Sequence, residues 1–274
     1  MNGIPVLTLS TDIGTKDYLT GAIKGQLLSV VPGITIADIS HELSAQNYFH
    51  AAYICQHAFK HFPAGTLHII IVNLFETPPQ HLLLAKHQDQ YIICPDNGIL
   101  TMITGTQPKD MVAIEVAHKA HFGLLTCTAS IAGVIAKLHA GEPFSKLGKP
   151  VINILEKYPL RPTAGADWLD CQIIFIDHFE NVIVNLTKEE FEEQRKGRKF
   201  KIELKNNEII ESLSENYASV APGDVLAWFN SAGYLEIAVN KGNVAALFGL
   251  ETYLSQGNIS QLQMSYRTIR IFFE

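Results

Sequence analysis

Apolar and polar positions change rhythm along this chain, and the change divides it. Val6–Leu9 is a short apolar run that predicts a buried strand, followed by the polar turn Ser10-Thr11-Asp12-Ile13-Gly14. Leu19, Ile23, Leu27, Leu28 and Val31 then recur at helical spacing until Pro32-Gly33 stops the helix. Ile34–Ile39 predicts a second strand, Ala51–Phe62 a helix ended by Pro63 and Gly65, and Leu67–Val72 a third strand. This β-α-β-α-β alternation predicts a mostly parallel, Rossmann-like sheet with helices on both faces. Ligands of such sheets sit beyond the carboxyl ends of the strands. Three polar turns qualify: the one at Asp12, the segment from Asn73 to Gln80, and Asp96-Asn97-Gly98.

A further helix is expected around Ile131–Leu138. The periodicity then fails between Gly148 and Asp167, where Pro150, Pro159, Pro162 and Gly165 mark a linker. Beyond it come short strand-like runs at Gln172–Ile176, Val182–Leu186, Phe200–Leu204, Val225–Phe229, Tyr234–Val239 and Gln261–Phe273, with turn pairs between several of them. That spacing predicts a small antiparallel β-barrel or sandwich. The expected organisation is an α/β domain over 1–147, a linker over 148–169 and a β-barrel domain over 170–274.

Composition narrows the function. The 274 residues carry 21 basic and 27 acidic side chains, a formal charge of −6. The densest basic cluster, Arg195-Lys196-Gly197-Arg198-Lys199, lies beside Glu189, Glu190, Glu192 and Glu193 and reads as a solvated helix end, so no nucleic-acid partner is expected. The N-terminus lacks the basic and apolar segments of a signal peptide, and the longest apolar runs are strand-sized, so no membrane partner is expected. Cys55, Cys94, Cys127 and Cys171 are scattered without CxxC spacing, which suits reduced thiols in the cytoplasm.

The generic motifs offer little. Gly21-Ala22-Ile23-Lys24-Gly25 is a GxxxG read as a helix-packing face, not a phosphate loop. His57 and His61 share a helix face, but no third ligand accompanies them, and no metal is expected there.

A longer set of segments is more specific. Thr11-Asp12-Ile13-Gly14-Thr15-Lys16-Asp17-Tyr18, with Gly21 and Lys24-Gly25, is followed by Asp38-Ile39-Ser40-His41-Glu42, Phe62-Pro63-Ala64-Gly65-Thr66 and Pro95-Asp96-Asn97-Gly98-Ile99-Leu100. The second half adds Ile176-Asp177-His178-Phe179-Glu180-Asn181 and Asn230-Ser231-Ala232-Gly233-Tyr234-Leu235-Glu236-Ile237-Ala238. In this order the six segments resemble the S-adenosylmethionine (SAM) hydroxide adenosyltransferases, or SAM hydrolases, and their relatives the SAM-dependent fluorinases and chlorinases. The resemblance implies a homotrimer with ligand sites between neighbouring subunits, binding an adenosine compound. It also implies cleavage of SAM at the ribose C5′ without a further cofactor.

By the same resemblance Asp12 accepts hydrogen bonds from the ribose hydroxyls, Asp177 and Ser231 hold the methionine end, and Asn181 reads adenine. Phe179 is either a stacking partner for the base or a core aromatic. The plain readings are an N-cap for Asp12 and turn chemistry for Asp177, Asn181 and Ser231.

The departures concern catalysis. The family's hydrolases position and deprotonate water with Asp, Arg and His, where this chain has Asn73, Gln80 and Phe122. Neither amide takes a proton at neutral pH, and Phe has no polar group. Leu74-Phe75-Glu76-Thr77-Pro78-Pro79 replaces the usual Gly/Pro loop, and His81 and His121 each lie one residue from a missing partner. Glu180 stands where the family has glycine. Gly123 stands where halogenases carry a halide-holding hydroxyl, so halogenation is not expected. Two expectations stay open: hydrolysis of SAM to adenosine and methionine, or a nucleoside-binding or sensing protein that has lost the chemistry.

Overall fold

The structure is a computed structural model and describes residues 3–76, 81–116, 123–204, 208–248 and 268–274. The chain falls into two compact units, Met1–Tyr158 and Pro159–Glu274.

The first unit opens with β1 (Val6–Thr11), α1 (Leu19–Val30), β2 (Thr35–Ser40), α2 (Tyr48–Phe59) and β3 (Leu67–Ile71). It continues with β4 (His81–His87), β5 (Gln90–Pro95), α3 (Ile99–Thr104), β6 (Asp110–Glu115), α4 (Leu124–His139) and β7 (Lys149–Pro150). The seven strands form one sheet in the order β2-β1-β3-β5-β4-β6-β7. The half containing β2, β1, β3 and β5 is parallel, as the sequence predicts, whereas β4 runs antiparallel to both β5 and β6. Leu7 and Leu9 of β1 and Leu67, Ile69 and Ile71 of β3 point into one core with Ile23 and Leu27 of α1 and Ile131 and Ile135 of α4. On β3 the intervening His68 stacks on Phe59 of α2, at 3.7 Å between ring centroids. This period-two alternation gives each face of the sheet its own helix pair.

Two local expectations change. Helix α2 begins at Tyr48, three residues before the expected start, because the Asn47 side chain caps it by accepting from the His50 N–H at 3.2 Å. Gly21 and Gly25 do not form a packing face: both are exposed, and nothing lies within 4 Å of a Cβ built on either. The buried stripe of α1 runs through Ile23 and Leu27, on the other side of the helix.

The second unit contains β8 (Thr163–Ala164), β9 (Trp168–Ile176), β10 (Val182–Thr187), α5 (Lys188–Arg195), β11 (Phe200–Glu203), β12 (Ile209–Ile210), β13 (Val225–Phe229), β14 (Tyr234–Val239) and β15 (Thr268–Phe273). Its antiparallel sheet runs β12-β11-β15-β9-β10-β14-β13, with β8 on β9. The ends nearly meet, since the Ser214 N–H that follows β12 donates to the Ala227 carbonyl of β13 at 2.8 Å, giving a nearly closed barrel. Phe191 of α5 is fully buried and meets the rings of Phe200, Phe229 and Phe273. Helix α5 starts with a reciprocal capping box between Thr187 and Glu190. Of the strand expected over 261–273, the part before Thr268 lies outside the described residues.

The segment expected as a linker, 148–169, is shared out. Lys149–Pro150 joins the first sheet, Leu155 and Lys157 are hydrogen-bonded within the first unit, and Thr163–Ala164 joins the second sheet. Its prolines end periodicity without ending backbone pairing.

Candidate active site

Three of the predicted turns meet at the carboxyl ends of the parallel strands. Thr11 lies beside Ile71 in the β1–β3 register, and the next residue, Asp12, donates its N–H to the Ile71 carbonyl at 3.2 Å. The Asp12 carboxylate in turn accepts the Asn73 N–H at 2.7 Å, and among the described residues no side chain donates to it. The Asn97 side chain, buried beyond β5, donates to the carbonyls of Val72 and Asn73 at 3.0 and 3.2 Å. Burial pushes the Asp12 carboxyl above the usual carboxylate range, and the Asn73 N–H opposes that shift. Helix α1 starts at Leu19, whose N–H is accepted by Asp17 Oδ1 at 2.8 Å, so Asp12 is not its N-cap. The Asp38–Glu42 segment supports this end from behind: Thr11 Oγ1 meets His41 Nδ1 at 2.9 Å, His41 Nε2 meets Asp38 at 3.2 Å, and Lys24 of α1 meets Asp38 at 2.6 Å.

Around Asn73 lies a cluster that the sequence did not announce. Asn73 has φ +48° and opens a turn closed by the Glu76 N–H on its own carbonyl at 3.2 Å. Asn73 Nδ2 donates to the Tyr48 hydroxyl at 3.2 Å, and that hydroxyl donates to Glu76 Oε2 at 2.7 Å. The ammonium of Lys157 stands 3.5 Å from the same oxygen and 3.9 Å from the centre of the Tyr48 ring. Burial, and then the carboxylate of Glu76, raise the Tyr48 phenol well above its ordinary value. Tyr48 stands three residues before the helix start that the sequence predicts, and nothing in the sequence marks it or Lys157, which arrives from 56 residues beyond Thr101.

Gln80, Phe122 and His121 lie outside the described residues, so of the three triad positions the structure places Asn73. His81 opens β4 and is held by Asp96, Nε2 to Oδ2 at 3.1 Å, while Asp96 Oδ1 accepts the Leu155 N–H at 2.8 Å.

In the second unit, Asp177 follows β9 directly. Its Oδ1 accepts the N–H groups of Phe179 and Asn181 at 2.9 and 2.8 Å, and its Oδ2 accepts Asn181 Nδ2 at 2.9 Å. Asn181 Nδ2 also donates to the Tyr217 hydroxyl at 3.3 Å, and Tyr217 donates to the buried Glu236 at 2.5 Å. Phe179 is 72% exposed, which removes the core reading of that residue. With Asn181, Tyr217, Val239, Lys241 and Gly242 it lines a largely apolar cavity of about 370 Å³. Glu180 has φ +63°, so the left-handed turn that glycine would favour is present. Ser231 is exposed in the β13–β14 turn, where Asn230 Oδ1 accepts the N–H groups of Ala232 and Tyr234.

An α/β unit with acceptor-bearing turns beyond its parallel strands, followed in the chain by a small β-barrel unit, is the class of protein this fold defines. The family descriptions that match are the SAM hydroxide adenosyltransferase N-terminal domain over residues 7–148 and its C-terminal domain over residues 171–254. The chain belongs to the SAM hydroxide adenosyltransferase family. It is 24% identical over 262 residues to an (R)-S-adenosyl-L-methionine hydrolase of Methanocaldococcus jannaschii, covering 92% of this chain and 95% of the relative. It is 26% identical to a hydrolase of that name from Thermus thermophilus, covering 90% and 96%, and 23% identical to a fluorinase of an Actinoplanes species, covering 93% and 97%. The fold is shared with the crystal structure of an uncharacterized conserved protein from Thermotoga maritima, with a TM-score of 0.79 and 22% identity over 97% of this chain and 99% of the other.

Proposed function

We propose that this protein hydrolyses S-adenosylmethionine to adenosine and methionine, with water displacing the sulfonium at the ribose C5′. The observation that carries the reading is the family match across both units, joined to the Asp12 carboxylate at the first strand–helix turn. Two carboxylate oxygens are pure acceptors and suit a pair of ribose hydroxyls, and Asp12 has no side-chain donor among the described residues. Asn181 spends its amide N–H groups on Asp177 and Tyr217, which leaves its Oδ1 as an acceptor for the adenine amine. Phe179, exposed beside the cavity, suits stacking on the base. Ser231 and the remaining capacity of Asp177 take the methionine end, and Asn73, with Gln80 and Phe122 at the other triad positions, borders the attacking water. Gly123 has no side chain with which to hold a halide, which favours water over halide as nucleophile.

The sulfonium is already a good leaving group, so aligning water behind C5′ in a dry pocket is the main task. We further propose a cytoplasmic homotrimer whose ligand sites lie between neighbouring subunits. Incubating the purified protein with SAM and separating the products by chromatography tests the reading: adenosine and methionine in equal amounts are expected. Intact SAM after many enzyme equivalents of time would defeat it. Sedimentation at micromolar concentration tests the trimer, and a stable monomer would count against it.

A further inference from the structure

The triad substitutions leave the proposed reaction without a proton acceptor at Asn73, yet a carboxylate lies two hydrogen bonds away. We infer that Glu76 is the terminal proton acceptor of the hydrolysis and that Tyr48 relays the proton to it; the inference rests on the hydrolase reading above.

The geometry is that of a built site. Asn73 donates its backbone N–H to Asp12 and its side-chain N–H to the Tyr48 hydroxyl, so one residue links the proposed ribose acceptor to the phenol. Asn73 Oδ1 and the second lone pair of the Tyr48 oxygen are then available to a water between them. Tyr48 already points its own proton at Glu76, 2.7 Å away. In the reaction the water oxygen bonds to C5′ and the C5′–S bond breaks, the sulfur keeping the electron pair as neutral methionine thioether. The water proton passes to Tyr48 Oη as the phenolic proton passes to Glu76 Oε2. Glu76 is exposed enough to return that proton to solvent, its side chain being 42% accessible.

The charges around the relay fit this direction of transfer. Among the described residues, Asp12 and Lys157 are the charged groups that face the phenol besides Glu76. Burial and the two carboxylates keep Tyr48 protonated, so it hands protons on and does not itself serve as the base. Lys157 holds Glu76 in place, 3.5 Å from its Oε2, and its own position is fixed on both sides. Its N–H and C=O are both bonded to Thr101 Oγ1, at 2.9 and 2.7 Å. Its stem passes through the space a side chain at Gly98 would need, 2.5 Å from a Cβ built there. Gly98, at φ +94°, is thus required twice over, for its turn and for the passage of Lys157.

The test uses the full-length protein with SAM. General-base assistance is typically worth about 10²–10⁴-fold, so E76Q and Y48F should each lower kcat by about 100-fold. KM should stay within about threefold, because neither group is used in binding. E76A should regain about tenfold in rate with added formate, which can enter at an exposed position, and E76D should retain more activity than E76Q. A purely structural tie would give none of this rescue. E76Q with near wild-type kcat, or E76A with a raised KM and no response to formate, would overturn the relay while leaving the hydrolase reading intact. A wild type that binds SAM without turnover would overturn both.

Discussion

Asp12 and Asp177 stand at equivalent places, each the first residue after a strand, β1 in one unit and β9 in the other, and the two units use them differently. Asp12 follows a parallel strand whose chain goes on to a helix. The adjacent turn beyond β3 reaches its carboxylate with a single backbone N–H, and burial leaves the group above its ordinary pKa. Asp177 begins a tight reversal between antiparallel strands, and three N–H groups of that reversal converge on it. A crossover connection leaves the strand end open, whereas a hairpin folds its own donors back onto the turn residue. The same amino acid therefore keeps most of its acceptor capacity free in the first unit and spends most of it on the turn in the second.

The units also differ in how they respond to acid, and here the largest effect is expected. In the first unit burial holds His50, His57 and His68 down to about 4 from 6.5. The second unit has one histidine, His178, and it is exposed. Because the folded pKa is depressed, the unfolded chain binds more protons between these values. The stabilisation is complete above about 6.5 and is lost as pH falls toward about 4. For the fully buried His68 alone this is about 3 kcal/mol, and the other two act in the same direction. Helices α1 to α4 belong to the first unit, whereas both tryptophans, Trp168 and Trp228, belong to the second. An acid titration should therefore lower far-UV circular dichroism before it changes tryptophan emission. Coincident transitions would mean that the units do not differ in this way.

The next largest effect separates the two aspartates by ligand binding. Asp12→Ala should weaken adenosine binding by about 3 kcal/mol, since two ribose hydroxyls lose a charged acceptor in a partly dry site. Its melting temperature should barely change, because the mutation also removes a carboxylate whose charged form burial disfavours. Calorimetric titration and thermal melts read the two quantities separately, and unaltered affinity would exclude Asp12 from the pocket.

How far this contrast was legible in the sequence follows from the same turns. Strands β1 to β3 were plain because their apolar runs alternate with capped or glycine-stopped helices. The hairpin of β4 and β5 is not legible in the sequence: its two-residue turn, Gln88-Asp89, carries Gln88 at φ +51° without the Asn or Gly that usually announces such a turn. Strands β13 and β14 were bounded to the residue, Pro222-Gly223 preceding the first and Ala232-Gly233 lying between them. Asp12 and Asn73 were singled out from the sequence, but the cluster beyond them was not. Tyr48, Glu76 and Lys157 are unremarkable surface-type residues until a helix start, a four-residue turn and the segment after β7 bring them together. Such long-range coincidence leaves no mark on local periodicity.

Asp177→Ala should lower stability, which Asp12→Ala leaves almost unchanged. Losing an acceptor shared by three donors removes about 2 kcal/mol of stability at roughly 0.5–1.5 kcal/mol per bond. It also frees the Asn181 amide that faces Tyr217. Asp177→Asn keeps one acceptor oxygen and should recover about half of the loss. Chemical denaturation followed by tryptophan emission reports on this unit, and a variant as stable as the wild type would mean the turn holds itself without the carboxylate.

The smallest effect lies two residues short of Asn181's neighbour strand, at Glu180. A non-glycine residue with φ near +63° costs about 1–2 kcal/mol. Glu180→Gly removes that strain but returns some of the gain, because glycine gives the unfolded chain about 0.5–1 kcal/mol more conformational entropy to lose. The backbone bonds of the turn should persist, with the Glu180 N–H on the Asp177 carbonyl at 3.0 Å and the Ala245 N–H on the Glu180 carbonyl at 3.1 Å. The balance is a stabilisation of about 0.5–1 kcal/mol, a rise of roughly 2 °C in Tm. The gain should shrink in the Asp177→Ala background, where the turn is no longer held in one conformation and the strain at Glu180 can relax. Equal gains in both backgrounds would show that the strain belongs to Glu180 alone, and a loss in the wild-type background would show that its side chain contributes more than the strained backbone costs.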